Sequence, residues 1–288
     1  MTLRLLIPFD GSPAALRAVE LVAGYAGEAH NVAATLLNVQ SRPISLWPGA
    51  GIDPTAVDAA LVEAGKAELA PALARLASAS AEVRLGLPAQ AIVHEARAHH
   101  AVVMGTRGSG ALQGYALGSV ALRVAQGAAV PVVLVKPADR LPETLGRRAR
   151  VLLAMDGSEP ALRAAERLVA WKSWLGELEV HLAYVQRPLT TLEAILPPHD
   201  DVIGQWSTQE GLQRTQAARE MLRQAAIVQH MHLSVGDPAL ELRTLAAQSG
   251  ADLVALGTRG LGAAHHAFVG SVALKTAALC ELPVMLVP

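Results

Sequence analysis

The chain has 288 residues and a formal net charge of −1, with 52% hydrophobic and only 17% charged residues. It has no Lys/Arg-rich run of the kind that nucleic-acid binders use, and no uninterrupted apolar stretch of the about 18 residues that a membrane span needs. The N-terminus lacks the apolar core of a signal peptide and the single cysteine, Cys280, excludes an intrachain disulfide, so we expect a cytoplasmic protein that binds neither nucleic acid nor membrane.

In the first half of the chain, short apolar runs alternate with Ala- and Leu-rich segments. Ser12 followed by Pro13 is a favourable helix start, because serine caps a helix and proline fits its first position. The predicted strands are 4–9, 32–39, 82–85, 101–104 and 130–135. The predicted helices are 13–27, 55–79, 88–99 and 119–126. Apolar runs such as 132–135 suit strands that are covered on both faces.

The second half repeats this order of elements. Its predicted strands are 150–155, 180–185, 228–235, 253–256 and 284–287, with helices between them. Strands that alternate with helices indicate a parallel sheet with right-handed crossovers. Both halves are therefore predicted to be α/β domains.

An internal repeat relates the two halves residue by residue. The segment MGTRGSG at 104–110 returns as LGTRGLG at 256–262, an offset of 152 residues. The segment Asp10–Ser12 returns as Asp156–Ser158, an offset of 146. We expect domains at 1–137 and 149–288, joined by the polar, proline-containing linker 138–148.

Each half carries the glycine signature G-x2-G-x9-G-S-V after its fourth predicted strand. Glycine lets backbone N–H groups approach an anion closely, and the Gly-Ser-Val end of the signature opens a helix. A helix N-terminus offers unpaired N–H groups and a positive dipole end, which bind phosphate. The spacing therefore predicts a phosphate cradle in each half. The alternative is that these glycines serve only as turn and cap residues.

Other nucleotide and catalytic motifs do not fit. The series Gly108, Gly110 and Gly114 resembles a dinucleotide fingerprint, but it follows the fourth strand and not the first. Neither half has the GK[ST] of a P-loop, and Ser109 lies in R-G-S-G and not in a nucleophile elbow. We therefore predict no NAD site, no Walker lysine and no catalytic residue.

The repeated signature resembles that of the universal stress protein family in its tandem two-domain form. The resemblance covers nearly the whole chain and implies two tandem open five-stranded parallel sheets, each in the order 3-2-1-4-5. Helices lie on both faces of this Rossmann-like, adenine nucleotide α-hydrolase-like fold. Ligands bind such sheets at the carboxyl ends of the strands where the order reverses, which is between strands one and four.

The resemblance implies one adenine nucleotide site per half, for ATP, ADP or AMP, with or without Mg²⁺. It implies that Asp10 and Asp156 contact the adenine–ribose part and that the backbones of Val39 and Val185 contact adenine. The residues implied to contact the ribose and phosphates are Gly105, Gly108, Gly118, Ser119, Val120, Gly257, Gly260, Gly270, Ser271 and Val272. The stretches 109–117 and 261–269 lack the Lys or Arg that the family often has there. Arg107 and Arg259 are candidates to compensate, and solvated loop arginines are the alternative.

The resemblance implies a stress-response sensor or regulator with at most slow ATP hydrolysis. The alternative is a nucleotide-independent protein-interaction module with vestigial sites. An ATP pyrophosphatase of a related fold should carry S-G-G-x-D-S, where this chain has D-G-S-P and D-G-S-E. Family domains pair through their last strands, so we expect 130–135 and 283–287 to pair within the chain, with a homodimer as a further option.

Several residues remain outside the implied site. The family often has Ala-Asp before strand four, as at Ala251-Asp252, but the first half has His99-His100, which puts the turn there in doubt. His230-Met231-His232 places two imidazoles on one face of a strand, but zinc needs three or four ligands, so we predict no metal site. The loop tryptophans Trp47 and Trp206 are expected as hydrophobic anchors, and the alternative is that either covers an adenine. His265 and His266 are expected at the surface, and the alternative is that a protonated imidazole contacts phosphate.

Overall fold

The computed structural model describes residues 2–29, 31–42, 53–108, 117–142, 148–187, 200–260 and 269–288. The chain divides into two compact units, Met1–Asp139 and Arg140–Pro288. This division falls within the segment 138–148 that the sequence indicates as a linker. Each unit has an α/β fold and is described by itself.

The first unit contributes five parallel strands and four described helices, and its strands are not assigned to a sheet of their own as the sequence had suggested. Its strands are β1 Leu3–Pro8, β2 Val32–Gln40, β3 Ser80–Leu85, β4 Ala101–Gly105 and β5 Val132–Val135. Its helices are α1 Pro13–Ala29, α2 Pro54–Leu73, α3 Pro88–Ala96 and α4 Ser119–Gly127. The strand order is β3-β2-β1-β4-β5 and every pair is parallel. The predicted order 3-2-1-4-5 is confirmed.

The second unit repeats this topology. Its strands are β6 Arg148–Ala154, β7 Glu177–Gln186, β8 Val228–Val235, β9 Leu253–Gly257 and β10 Val284–Val287. Its described helices are α5 Glu159–Leu175, α6 Asp200–Gln224, α7 Pro238–Gln248 and α8 Ser271–Leu279. The strand order is β8-β7-β6-β9-β10, again parallel throughout.

The pattern of burial follows from the layers. All four residues of β5 and of β10 are buried, because helices cover both faces of strands at these positions. The strands β3 and β8 lie at the opposite end of the strand order in their respective units, and both are partly exposed. Among the described residues, no helix combines the length and the hydropathy that crossing a membrane requires.

Helix α2 is shorter than its sequence predicts. The Ala- and Leu-rich composition favours helix through residue 79, but α2 ends at Leu73. The next residues form turns in which Leu76 is buried, and β3 begins at Ser80. In the parallel register Ser80 lies beside Thr35, so tertiary pairing overrides local helix propensity in this segment.

The turn before the fourth strand is the same in both units despite the sequence difference. In the second unit the carboxylate Oδ2 of Asp252 accepts a hydrogen bond of 2.9 Å from the Arg150 N–H. In the first unit the ring Nδ1 of His100 accepts a hydrogen bond of 3.0 Å from the Arg4 N–H. The imidazole therefore replaces the family's aspartate as the acceptor, and the doubt about this turn is removed.

Candidate functional site

The loop after β1 turns sharply and holds a carboxylate in place. Gly11 has a φ of +72°, in the left-handed region that glycine adopts without strain. This turn lets the Ser12 N–H donate a hydrogen bond of 3.1 Å to Oδ1 of Asp10. The Ser12 Oγ then accepts a hydrogen bond of 3.2 Å from the Ala15 N–H at the start of α1. The aspartate is thus oriented by the same loop that begins the helix.

The glycines after β4 allow two loops to approach each other closely. A Cβ on Gly105 would lie 2.7 Å from backbone atoms of Ala14 and Ala15 in α1. A Cβ on Gly108 would lie 2.5 Å from Oδ2 of Asp10. Gly105 therefore requires glycine for a steric reason that acts before any ligand binds, whereas a side chain at position 108 would displace the Asp10 carboxylate.

Hydrogen bonds link the loop after β1 to the loop after β4. The Ser12 Oγ donates a hydrogen bond of 3.1 Å to the carbonyl oxygen of Arg107. Thr106 donates its N–H to Val135 O at 2.9 Å, and its carbonyl accepts the Gly118 N–H at 2.8 Å. The segments that carry the candidate site residues are therefore joined to one another and to the sheet.

Helix α4 opens toward these loops. Its N-cap is Gly118, with φ −61° and ψ 152°, and no side chain in the described part of the chain caps the helix. The N–H groups of the first turn, at Ser119, Val120 and Ala121, have no acceptor within the helix because the carbonyls that they would need lie before its start. This helix end is therefore a positive, donor-rich surface of the kind that binds anions.

A cavity of about 430 Å³ lies among these elements. Its volume falls in the range of small-molecule sites, which is about 300–1,000 Å³. Its lining includes all eight predicted site residues of the first unit, which are Asp10, Val39, Gly105, Arg107, Gly108, Gly118, Ser119 and Val120. Other parts of the cavity wall are apolar and include Phe9, Leu37, Pro88, Ile92 and Met104, which sequence motifs do not single out. The cavity is thus lined by both polar and apolar residues.

The second unit repeats the contacts between the loops. Oδ1 of Asp156 accepts a hydrogen bond of 2.9 Å from the Ser158 N–H, and a Cβ on Gly260 would lie 2.5 Å from its Oδ2. A Cβ on Gly257 would lie 2.7 Å from Cβ of Pro160. The remaining predicted site residues also take matching positions: Gly270 caps α8, Ser271 and Val272 begin that helix, and Val185 lies near the end of β7.

The two loop arginines are half-buried and not fully solvated. The carbonyl of Arg259 accepts a hydrogen bond of 3.3 Å from the Ser158 hydroxyl, just as that of Arg107 does from Ser12. Other sequence predictions lie outside the described residues. They concern Trp47, His265, His266 and nearly all of the stretches 109–117 and 261–269. Trp206 lies on α6, but its side chain is also outside the described part.

Sequence reasoning missed two pairs of polar residues at the site. Ser12 was predicted only as a helix cap and Ser158 only as its counterpart in the repeat, but each also ties two loops together. Thr106 lines the cavity and is 2% exposed, and its counterpart Thr258 is 5% exposed. Both pairs recur at the offsets of the glycine signature and the D-G-S turn. That recurrence is the signal that could have found them.

Removing the hydroxyl of Ser12 should destabilise the first unit. Ser12→Ala deletes both the cap of α1 and the bond to the Arg107 carbonyl. We expect a loss of about 1–2 kcal/mol in the free energy of unfolding, measured by urea denaturation. Ser78 is an exposed serine of the same unit. An equal loss in Ser78→Ala would contradict the structural role given to Ser12.

The two sites differ in charge beneath the loop after the first strand. Glu68 of α2 accepts a hydrogen bond of 2.7 Å from the Asn38 side chain, and its Oε1 lies 3.3 Å from where a Cβ on Gly11 would be. The repeat offset of 146 places Arg214 of α6 at the matching position, where its Cδ lies 3.0 Å from a Cβ on Gly157. Arg214 is paired with Glu210 at 3.2 Å. The first site therefore carries a carboxylate where the second carries an ion pair.

A second difference between the units is that Tyr184 replaces Asn38. It takes the position of Asn38, since the offset of 146 relates the two residues and each lies against a glycine of the neighbouring helix. Burial raises the pKa of the Tyr184 phenol, and the nearby Glu210 raises it further. The phenol therefore stays protonated at neutral pH and is a hydrogen-bond donor.

Comparisons with known proteins agree with this architecture. The sequence model of the universal stress protein family matches residues 1–136 and 148–288. A universal stress protein of Thermus aquaticus is 34% identical over 143 residues, which are 48% of this chain and 96% of that protein. A universal stress protein of Mycolicibacterium smegmatis is 26% identical over 295 residues, covering 98% of this chain and 96% of that protein. The crystal structure of a universal stress protein from Archaeoglobus fulgidus has a TM-score of 0.68 at 22% identity, covering 99% of this chain and 95% of that one. The chain therefore belongs to the universal stress protein family, in its tandem two-domain form.

Proposed function

We propose that each unit binds one adenine nucleotide, which is ATP, ADP or AMP, with or without Mg²⁺. The observation that carries this proposal is that Asp10 and the uncapped N-terminus of α4 line the same cavity in the first unit. The cavity lies at the carboxyl ends of β1 and β4, which is where the strand order reverses. Ligands of open α/β sheets bind at that point.

Each part of a nucleotide has a matching part of the cavity. The N–H groups of Ser119 and Val120 and the positive end of α4 suit phosphate oxygens. The carboxylate of Asp10 suits the hydroxyl groups of a ribose, which donate hydrogen bonds to it. The apolar wall that includes Leu37 and Ile92 suits the flat face of a base. The matching contacts around Asp156 and Gly270 support a second site of the same kind.

The cavity offers binding groups but no assigned catalytic group. Among the described residues, Asp10 and Arg107 are its charged lining residues, and both belong to the loops that shape the cavity. We therefore propose a nucleotide-linked sensor or regulator of the stress response with at most slow hydrolysis. A cytoplasmic location, pairing of the two last strands and a homodimer stay predictions.

The proposal is tested by thermal unfolding of the purified chain with and without ATP, ADP or AMP. A ligand that binds the native state at 100 times its Kd stabilises it by about 2.7 kcal/mol, so the Tm should rise. Mass spectrometry of small molecules released from the purified protein should identify the preferred nucleotide. If millimolar concentrations of all three leave the Tm unchanged, the chain is better described as a nucleotide-independent interaction module.

The charge difference beneath the two sites should make their affinities unequal. We expect the first site to bind ATP less tightly than the second, because Glu68 repels the phosphates and the pair of Arg214 with Glu210 does not. Glu68→Gln should tighten the first site about threefold while keeping the hydrogen bond from Asn38. Calorimetry at low ionic strength measures this change, since salt screens such interactions. Unchanged affinity of both sites in this variant would exclude the charge effect.

A further inference from the structure

A cluster of imidazoles and a carboxylate lies on the strand pair β7 and β8, away from the nucleotide site. The parallel register places His181 beside His230, and Glu179 lies two residues before His181 on the same face of β7. His181 precedes Val185 by four residues, so it is about 13 Å from that end of the strand. The cluster is therefore a separate feature of the second unit.

The atoms of this cluster converge. Oε1 of Glu179 lies 3.0 Å from Nε2 of His230 and 3.4 Å from Nε2 of His181. One ligand atom from each of the three residues lies within 4.8 Å of the other two. Ligands around a tetrahedral zinc ion, at about 2.0 Å from the metal, are about 3.3 Å apart. The distances of 3.0 and 3.4 Å from the Glu179 oxygen to the two imidazole nitrogens are already close to this spacing.

The side chain of His181 is prepared for a metal. It is 10% exposed, and its buried Nε2 forms no hydrogen bond with the described residues, although Oε1 of Glu179 is 3.4 Å away. Its Nδ1 lies 2.9 Å from Nε2 of His232, so one of these two nitrogens donates a hydrogen bond to the other. When His181 is the donor, its Nε2 carries a lone pair that is directed at the cluster. Metal-binding histidines are commonly oriented by such a bond from their second nitrogen.

We propose that Glu179, His181 and His230 bind a divalent transition-metal ion of the Zn²⁺ class, with His232 as the residue that positions His181. Imidazole nitrogen and carboxylate oxygen are ligands that zinc accepts, and a water molecule completes a tetrahedral set. His230 is half-exposed at 49%, so its ring is able to rotate toward the other two ligands. The ion would join the edge strand β8 to β7 and stabilise the second unit.

The charges around the cluster are compatible with this assignment. Arg148 and Arg150 contact Glu179, but both approach Oε2, at 3.1 and 3.4 Å, and so leave Oε1 to the imidazoles. Oε1 is the oxygen that faces Nε2 of both imidazoles.

The first unit provides an internal control. The repeat offset of 146 places Ala33 and Thr35 at the positions of Glu179 and His181, and the strand register places Ser80 at the position of His230. Thr35 and Ser80 form a hydrogen bond of 3.1 Å between their hydroxyls. The same fold therefore tolerates residues that cannot form this site. Substituting the cluster with the residues of the first unit tests metal binding with little risk to folding.

The test is calorimetric titration of Zn²⁺ into the full chain after removal of metal with a chelator. We expect wild type to bind one equivalent through this cluster, and His230→Ser to weaken that binding more than tenfold. His181→Thr and Glu179→Ala should have similar effects, and replacing His232 with leucine should weaken binding about tenfold by releasing the orientation of His181. Co²⁺ should give the visible absorption of a tetrahedral site in wild type and not in His230→Ser.

The matched control is His94→Ala, which removes an exposed histidine of α3 and should leave Zn²⁺ affinity unchanged. Thermal unfolding without metal confirms that each variant is folded, and His230→Ser is the least buried substitution if His181→Thr fails to fold. The proposal is overturned if wild type takes up no Zn²⁺, or if His230→Ser and wild type bind it equally. Nucleotide binding has no part in either outcome.

Discussion

Gly118→Asp should abolish nucleotide binding by the first unit and leave the second unit unaffected. Gly118 caps α4 with backbone angles that any residue adopts, and aspartate is a favourable cap, so the helix should still form. A Cβ there would lie 3.2 Å from the carbonyl oxygen of Thr106, so the loop must shift slightly, and Gly118→Asn shares this cost. The new carboxylate would accept hydrogen bonds from the N–H groups that we assign to phosphate, and it would repel the ligand. We expect at least a hundredfold loss of affinity at that site, with the calorimetric stoichiometry for ATP falling from two to one.

Three further variants separate charge from shape. Gly118→Asn adds a side chain of similar size without charge, so it should weaken binding less than Gly118→Asp does. Gly270→Asp should remove the second site alone, and the double variant should bind no nucleotide. Two sites of unchanged affinity in Gly118→Asp would mean that the phosphate position is wrong.

Gly105→Ala should strongly destabilise the first unit. A Cβ at this position would lie 2.7 Å from backbone atoms of Ala14 and Ala15, which are held within α1 and cannot move as a flexible side chain can. Overpacking of this kind costs about 1–3 kcal/mol, and the rigid neighbours favour the upper end. We expect a loss of about 3 kcal/mol in the free energy of unfolding, measured by urea denaturation.

Gly24→Ala is the matched control for this prediction. Gly24 lies in α1, the helix that Gly105 approaches, and a Cβ on Gly24 would have no other atom within 4 Å. Alanine should therefore stabilise the helix by about 0.5–1 kcal/mol, an effect of opposite sign. If both variants change stability by the same amount, the close approach of β4 to α1 is not what requires glycine at 105.

The repeat allowed many features to be predicted from the residues alone. Alternating apolar runs and helical segments indicated a parallel α/β fold, and the signature at two fixed offsets indicated two equivalent sites. The resemblance to a family supplied the strand order, which the structure confirms in both units. The eight residues predicted for the first site line a single cavity. These features were accessible because they depend on short, local patterns or on a repeated spacing.

The same patterns misjudged features that depend on neighbours. The end of α2 depends on where β3 pairs with β2, and helix propensity does not contain that information. The pair His99-His100 departs from the family's sequence pattern. The ring of His100 nevertheless accepts a backbone hydrogen bond equivalent to the one that Asp252 accepts in the other unit. Residue type was a poor guide at that turn because two different side chains can place an acceptor at one point.

What the sequence by itself determined is the alternation of strands and helices, their duplication, and the positions that must be glycine or a helix cap. The tertiary structure decided why those glycines are needed, since Gly108 makes room for Asp10, a residue almost 100 positions earlier. It also decided that Glu179 and His181 meet His230, because the register of parallel strands joins segments that are about 50 residues apart. Periodicity and spacing report only local geometry, whereas a site is formed by residues that packing and strand register bring together.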